Sequence, residues 1–339
     1  MQPANLAPWN IDENEFPASG NTAEKLRFLL RYAVLAPSGH NVQPWRFVVR
    51  EDTVEIWGDP TRRLLMADPK DREMILSCGA ALLNLRIAIQ HYGYAAEIEL
   101  LPDPQARLLL ARLRLGTPLH WKPDDTLFNA IANRHTDRGE FQYRQVPAAV
   151  LARLEAAASF EGANLLIVES ERMRNSIAVL IEESDHLQAR DSEYRSELAA
   201  WLRSNRSTRK DGLPGYALGL NSLSSLLAPA LVRAFELDQA DEDRRQILQT
   251  PELAILWTQA DTPVDWLSAG QALGRVLLRA YAEGLHASFF TQVLEVEATR
   301  TELQRVIALP GSAQMVLRLG FGETAAKATP RRPADEVTD

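Results

Sequence analysis

Two stretches of this chain, CGAALLNLRIAIQHYG at 78–93 and AGQALGRVLLRAYAEG at 269–284, can be laid on each other without a gap. Gly79 then falls on Gly270, Ala81 on Ala272, Leu82 on Leu273 and Gly93 on Gly284. Each begins with small residues, carries apolar side chains three and four apart and ends in glycine. That reads as a helix with one apolar stripe and a C-terminal stop. Amphipathic helices resemble one another, so the pair alone leaves chance and kinship about equally open. Each stretch also follows an extended segment and leads into one, and that shared setting points to two related α+β halves in one chain.

The remaining pattern fits such halves. Residues 1–20 read as an irregular arm, and Asn21 with Glu24 as a capping box for a helix that runs to Pro37. WRFVVR and TVEIW read as strands about a turn, followed by a helix over 71–92 and two further strands. A new unit begins near 120, with a helix at 147–158, the strand NLLIVES, a charged and mostly helical region at 172–250 and the strand LAILWTQ. Pro263 opens a long helix to about 283, Thr299 and Glu302 offer another capping box, and AQMVLRLG forms a last strand at 313–320. The expected domains are 1–120 and 121–339, the second carrying a helical insert at about 185–250.

Composition narrows the function classes. A net charge of −8 argues against nucleic acid as a partner, since phosphate contacts need a surplus of Lys and Arg. The single cysteine, Cys78, allows no intrachain disulfide and no cysteine-based zinc site. The first residues carry acids where a signal peptide carries lysines, and no apolar run reaches about 18 residues. The expectation is a cytoplasmic protein with no membrane partner. His91, His120, His186 and His286 show no metal-like spacing, and only His286 stands as a site candidate. No glycine-rich phosphate loop of the Rossmann or P-loop kind occurs.

Three segments carry possible chemistry. APSGHNVQPWRF at 36–47 places Ser38, Gly39, His40 and Asn41 on a loop between a helix-stopping proline and a strand. It can present amide and hydroxyl donors to a planar ligand while Gly39 permits close backbone approach, or it can be an ordinary capped turn. NRHTDR at 133–138 can hold a phosphate through Arg134 and Thr136, or can be a solvated charged turn. TPRRP at 329–333 can reach back to an anion through Arg331 and Arg332, or can be a disordered basic tail.

Taken together, the three resemble the nitroreductase family of flavin proteins. APSGHNVQPWRF is similar to its P-S-x-x-N-x-Q-P-W loop, RHTDR to its opening arginine motif, and the last strand with its basic tail to its C-terminus. The helical insert and the DPTRR…DPKDRE region resemble the Acg-like branch, in which two such halves are fused. The resemblance runs from about 22 to 333. It implies an α+β, nitroreductase-like fold of two fused pseudo-symmetric halves, each a mainly antiparallel sheet packed with helices. Ordinary members build the flavin site across a homodimer, one subunit giving the arginine motif and the other the Pro-Ser loop. Here the first half keeps the loop and lacks the arginine motif. The second keeps RHTDR, while its equivalent loop has become AAASFEGANLL. One complete site and about one FMN per chain follow, in a monomeric pseudo-dimer or a homodimer of such chains.

By the same resemblance, Arg134, His135 and Thr136 belong to the FMN phosphate site, with help from Arg331 or Arg332. Arg138 sits near the flavin N1/O2 edge, where a cation stabilises the reduced, anionic ring. Pro37, Ser38, Gly39 and Asn41 line the ring, and Thr291–Gln292 stands where the family has a Glu-Gly pair facing N5. The implied activity is ping-pong hydride transfer from NAD(P)H to a nitroaromatic or quinone. The altered pair and the insert leave open a non-catalytic protein that sequesters or stores flavin under a lid. The insert reads equally as that lid, with DGLPGYALG at 211–219 as its hinge, or as helices packed outside.

Overall fold

The computed structural model describes residues 3–121, 123–235 and 240–339. The first unit runs α1 (Thr22–Ala33), β1 (Trp45–Arg50), β2 (Thr53–Gly58), α2 (Arg72–His91), β3 (Tyr94–Leu100) and β4 (Leu109–Pro118). The short α3 (Thr126–Ile131) leads to the second: α4 (Ala148–Phe160), β5 (Asn164–Ile167), the insert, β8 (Glu252–Thr258), α9 (Pro263–Ala282), β9 (His286–Phe289), α10 (Gln292–Glu295), α11 (Glu297–Ile307) and β10 (Ser312–Gly320). The insert holds α5 (Glu171–Arg190), α6 (Ser192–Trp201), β6 (Leu202–Arg203), β7 (Leu213–Pro214), α7 (Ser222–Ala234) and α8 (Ala240–Gln249).

Both halves are antiparallel four-stranded sheets with one connectivity. The orders are β1-β2-β4-β3 and β5-β8-β10-β9, and in each a long helix leads into the edge strand. They differ between their first two strands. There the first half has a tight turn with Glu51 at φ 39, and the second has the insert. Local chemistry sets the start of α1 as expected: Asn21 Oδ1 accepts from Glu24 N at 2.9 Å and Glu24 Oε2 accepts from Asn21 N at 2.8 Å. Such caps contribute about 1 kcal/mol each.

The repeated helices α2 and α9 form the centre of the molecule, and their repeated glycines are the crossing point. A Cβ on Gly270 would lie 2.0 Å from Leu76 O, and one on Gly79 would lie 2.4 Å from Leu267 O. Only glycine lets the two backbones approach this closely. The crossing also revises the one-stripe reading of α2. This helix packs on the first sheet with one face and on α9 with the other, so it is buried around nearly its whole circumference. It is, contrary to expectation, long and apolar enough to cross a membrane, but 83% of that stretch is buried inside the protein.

A second expectation fails at the start of α11. That helix begins at Glu297, so Thr299 lies inside it rather than capping it. The Thr299 hydroxyl is taken by tertiary contacts: it accepts from Ser184 Oγ at 2.8 Å and donates to Val296 O at 3.1 Å. The C-terminal arm is ordered. Phe47 N donates to Val337 O at 2.7 Å and Asp339 N to Phe47 O at 2.9 Å, which lays the arm along the free edge of β1.

Candidate cofactor site

A cavity of about 440 Å³ lies where the two halves, the insert and the arm meet. That is within the roughly 300–1,000 Å³ usual for small-molecule sites. Among its bordering residues are Pro37, Ser38, Gly39, His40 and Asn41 from the first half, and Thr136, Arg138, Thr291 and Gln292 from the second. Arg331 comes from the arm, and Leu198, Leu213, Leu220, Leu231 and Val232 come from the insert. The insert therefore walls the cavity instead of packing apart from it.

The 37–44 loop is held in an unusual backbone conformation. His40, Asn41 and Gln43 have φ of 47, 54 and 52, a region costly for residues with a Cβ. Contacts from distant segments hold it there. Ser38 Oγ accepts from Gln43 N at 2.9 Å. Asn41 Nδ2 donates to Gly212 O and Pro330 O, both at 3.0 Å, while Asn41 Oδ1 accepts from Arg331 Nη1 at 2.7 Å. Gln43, fully buried, donates to Lys210 O at 2.8 Å and accepts from Arg332 N at 2.8 Å. Asn41 thus borders the cavity but spends its amide on fixing the insert, the arm and Arg331. Sequence reasoning missed Gln43, whose place in the loop pattern was its only signal.

The RHTDR segment runs beside β9, where Thr136 bridges Ala287 and Asp137 N donates to Ala287 O at 2.9 Å. Its side chains divide between two spaces. Thr136 and Arg138 border the large cavity; Arg134 and His135 border a smaller one, of about 120 Å³, with His286. His286 Nδ1 is bonded to the Asp137 carboxylate.

Arg134 and Arg331 act on each other electrostatically, and between them they span the wall separating the two spaces. Arg134 is 6% exposed, and among the described residues nothing bonds or pairs with its guanidinium. Burial pushes it down to about 10. Arg331 is 3% exposed, lies 4.8 Å over the Trp9 ring, and has a buried Nε without a partner. Burial and then Arg134 push it down to about 9. Burial, Arg134, Arg331 and His286 push His135 down to about 3, so it is neutral at pH 7. Two buried guanidiniums with no carboxylate bonded to them are a site that calls for an anion. Arg332 does not join them: it faces Asp59 at 4.0 Å and Gln43 O at 3.4 Å, away from the cavity.

The far end of the cavity carries two carboxylates that sequence reasoning also missed. Glu73 and Glu295 both border it, and both are pushed up from the usual carboxylate range by burial. In the sequence Glu73 is an ordinary first-turn acid and Glu295 an ordinary surface glutamate, so neither gave a signal.

No family model matches the chain. A protein of Mycobacterium tuberculosis named "Putative NAD(P)H nitroreductase Rv3131" is 33% identical over 330 residues, which is 95% of this chain and 93% of its own. "Putative NAD(P)H nitroreductase acg" of the same organism is 28% identical over 326 residues, covering 93% of this chain and 96% of its own. Of solved structures, oxidized iodotyrosine deiodinase bound to FMN and 3-iodo-L-tyrosine matches 61% of this chain and 95% of its own at 16% identity and a TM-score of 0.40. An identity of one residue in three, sustained through both halves and the insert, makes this chain a member of the nitroreductase-like family that includes Rv3131.

Proposed function

We propose that the chain binds one FMN across its two halves and passes hydride equivalents from NAD(P)H to a small aromatic acceptor, a nitroaromatic or a quinone. The observation that carries this reading is the buried, unneutralised pair formed by Arg331, on the cavity walled by the Ser38–Asn41 loop, and Arg134, on the smaller space behind it. A phosphate matches the charge and supplies the acceptor atoms that Arg331 Nε lacks. The residues fit the group in other respects as well. Thr136 offers a hydroxyl beside the arginines, and Gly39 keeps the loop close: a Cβ there would come within 3.0 Å of Glu73 Oε2.

In this reading Arg134, Thr136 and Arg331 hold the phosphate, with Asn41 fixing Arg331. Arg138 stands at the N1/O2 edge, and Pro37, Ser38 and Gly39 line the ring. Thr291 and Gln292, at the start of α10, lie near N5, and Gln292 Nε2 is anchored to Asp243 Oδ2 at 2.8 Å. Bound FMN supplies the two-electron chemistry, while the protein orients it and tunes its charge. The units are those of 1–120 and 121–339, with 185–250 as the segment that covers the ring.

A second reading has a specific support. The leucines of the insert close one wall of the cavity, as a flavin-storing protein would require. The freshly purified protein should show a flavin absorption spectrum, and colourless protein that gains no thermal stability from added FMN would end both readings. Anaerobic stopped-flow mixing with NADPH separates them: rapid bleaching belongs to the reductase, and slow or absent bleaching to storage.

A further inference from the structure

The acidic end of the cavity has no task in the reading above. Glu73, 6% exposed, stands in the first turn of α2, and its Oε1 accepts from Arg72 Nη2 at 3.1 Å. Arg72 is itself held by Gln314 O at 2.6 Å. Glu73 Oε2 has no bond among the described residues and lies at the cavity surface beside Gly39. Glu295, on α10, accepts from Gln188 Nε2 at 2.7 Å, from the Tyr194 hydroxyl at 3.4 Å and from the Thr291 side chain. Both carboxylates border the cavity, and the charge of Glu295 helps to hold the proton on Glu73.

The charges facing this pair do not balance it. Arg72 is the one cation bonded to either carboxylate among the described residues. Arg300 of α11 is paired with Asp261 at 3.0 Å. Asp68, before α2, adds a third carboxylate, Arg195 of α6 borders the cavity but donates to Ala189 O at 2.6 Å, and Arg138 is drawn towards Asp243. His40, pushed down to about 4 by burial, is neutral at pH 7 and brings no charge. Two buried carboxylates that border one cavity and feel each other's charge, with one arginine bonded to the pair, reach neutrality by keeping one proton.

We propose that Glu73 and Glu295 share that proton and that Glu73 Oε2 delivers it to the acceptor as hydride arrives, which makes the acceptors of this cavity those that must gain a proton on reduction. The proposal rests on the flavin reading. With a quinone, NAD(P)H supplies a hydride by way of the flavin. That hydride makes one new bond to hydrogen on the quinone and leaves a hydroquinone monoanion. The Glu73 O–H bond breaks, the second hydroquinone O–H forms, and Glu73 remains as carboxylate until solvent returns a proton. Glu295 is a positioning residue: its three donors fix it on the cavity it shares with Glu73, where its charge keeps the proton on Glu73 until the acceptor takes it.

The test uses the flavin-loaded protein, NADPH and two acceptors. Benzoquinone must take up protons; ferricyanide accepts electrons alone. In Glu73→Gln the ratio of benzoquinone to ferricyanide turnover should fall about 100-fold, within the range general acids supply. Glu295→Gln should lower the same ratio less, and Glu73→Asp should recover part of it. Independently of turnover, the infrared spectrum of the native protein at neutral pH should contain a buried carboxylic-acid carbonyl band that Glu73→Gln removes. A ratio unchanged in both glutamine variants, or a native protein without the band, would overturn the proposal. Colourless native protein, or protein inert to NADPH with either acceptor, would instead overturn the flavin reading, and the band would still decide whether the pair holds a proton.

Discussion

Arg331, on the large cavity, and Arg134, on the smaller one, are buried near each other with no carboxylate bonded to either guanidinium; Glu73 and Glu295, both on the large cavity, are buried with Arg72 the one cation bonded to either of them among the described residues. Both pairs bury like charges, and like charges out of water are unstable unless something neutralises them. The remedies differ because the groups differ. A guanidinium holds its proton even when depressed to about 9 or 10, so the arginine end is neutralised only by an anion from outside. A carboxylic acid takes a proton readily, so the glutamate end neutralises itself. One end is built for a ligand and the other for a proton.

The largest expected effect breaks the comparison at its cationic end. Arg134→Ala should weaken FMN binding about 100-fold, or about 2.8 kcal/mol, in keeping with the loss of a charged hydrogen bond to phosphate. The same change should leave the flavin-free protein at least as stable as native, because it removes a buried charge that has no partner. Flavin fluorescence titration and thermal melts with and without FMN measure both halves of the prediction. Native retention of FMN, or a large loss of stability in the flavin-free variant, would mean that Arg134 serves the fold and not the ligand.

A smaller effect sharpens the acidic end. Burial raises Asp68, which receives the Met74 N–H at 2.8 Å, to about 6. Its folded-state pKa lies above the unfolded value, so between the two the native state keeps a proton that the unfolded chain has lost. The resulting stability is fully present below about pH 4 and is lost as pH rises through about 6. Melting temperature should therefore climb by about 1 °C as pH falls from about 7.5 to about 5.5, and Asp68→Asn should flatten that slope. A native protein whose melting temperature falls over the same window would contradict the assignment.

The two ends were not equally open to reading. RHTDR and the Ser38–Asn41 loop are contiguous segments, so they could be matched to a family pattern, and it is that resemblance, not their residue types alone, that implies a shared ligand. The repeat at 78–93 and 269–284 was legible in the sequence, and its matched Gly79 and Gly270 are where α2 and α9 touch. Glu73 and Glu295 could not be read, because what distinguishes them is burial on the same cavity, and that comes from elements far apart in the chain. Thr299 was misread for a related reason: its hydroxyl had the spacing of a cap, but a serine from α5 claims it. Local chemistry is visible in local sequence, whereas a group whose partner arrives from another element looks ordinary until the chain is folded.

The smallest effect concerns two adjacent arginines that the sequence could not tell apart. Arg331 is inside, pinned by Asn41 Oδ1 at 2.7 Å and Thr329 Oγ1 at 2.8 Å, and its guanidinium lies against Arg134 and Trp9. Arg332 points the other way, with its Nη1 4.0 Å from Asp59 and its Nη2 3.3 Å from Glu336 O. What the arm needs from position 332 is the backbone N–H held by Gln43 Oε1 at 2.8 Å, and alanine keeps that. Arg332→Ala should therefore change FMN affinity by less than about twofold, because the guanidinium is turned towards Asp59 and does not border the cavity. Arg331→Ala should approach the loss seen with Arg134→Ala. Equal losses in the two single variants would mean that the arm itself, and not the one buried guanidinium, holds the anion.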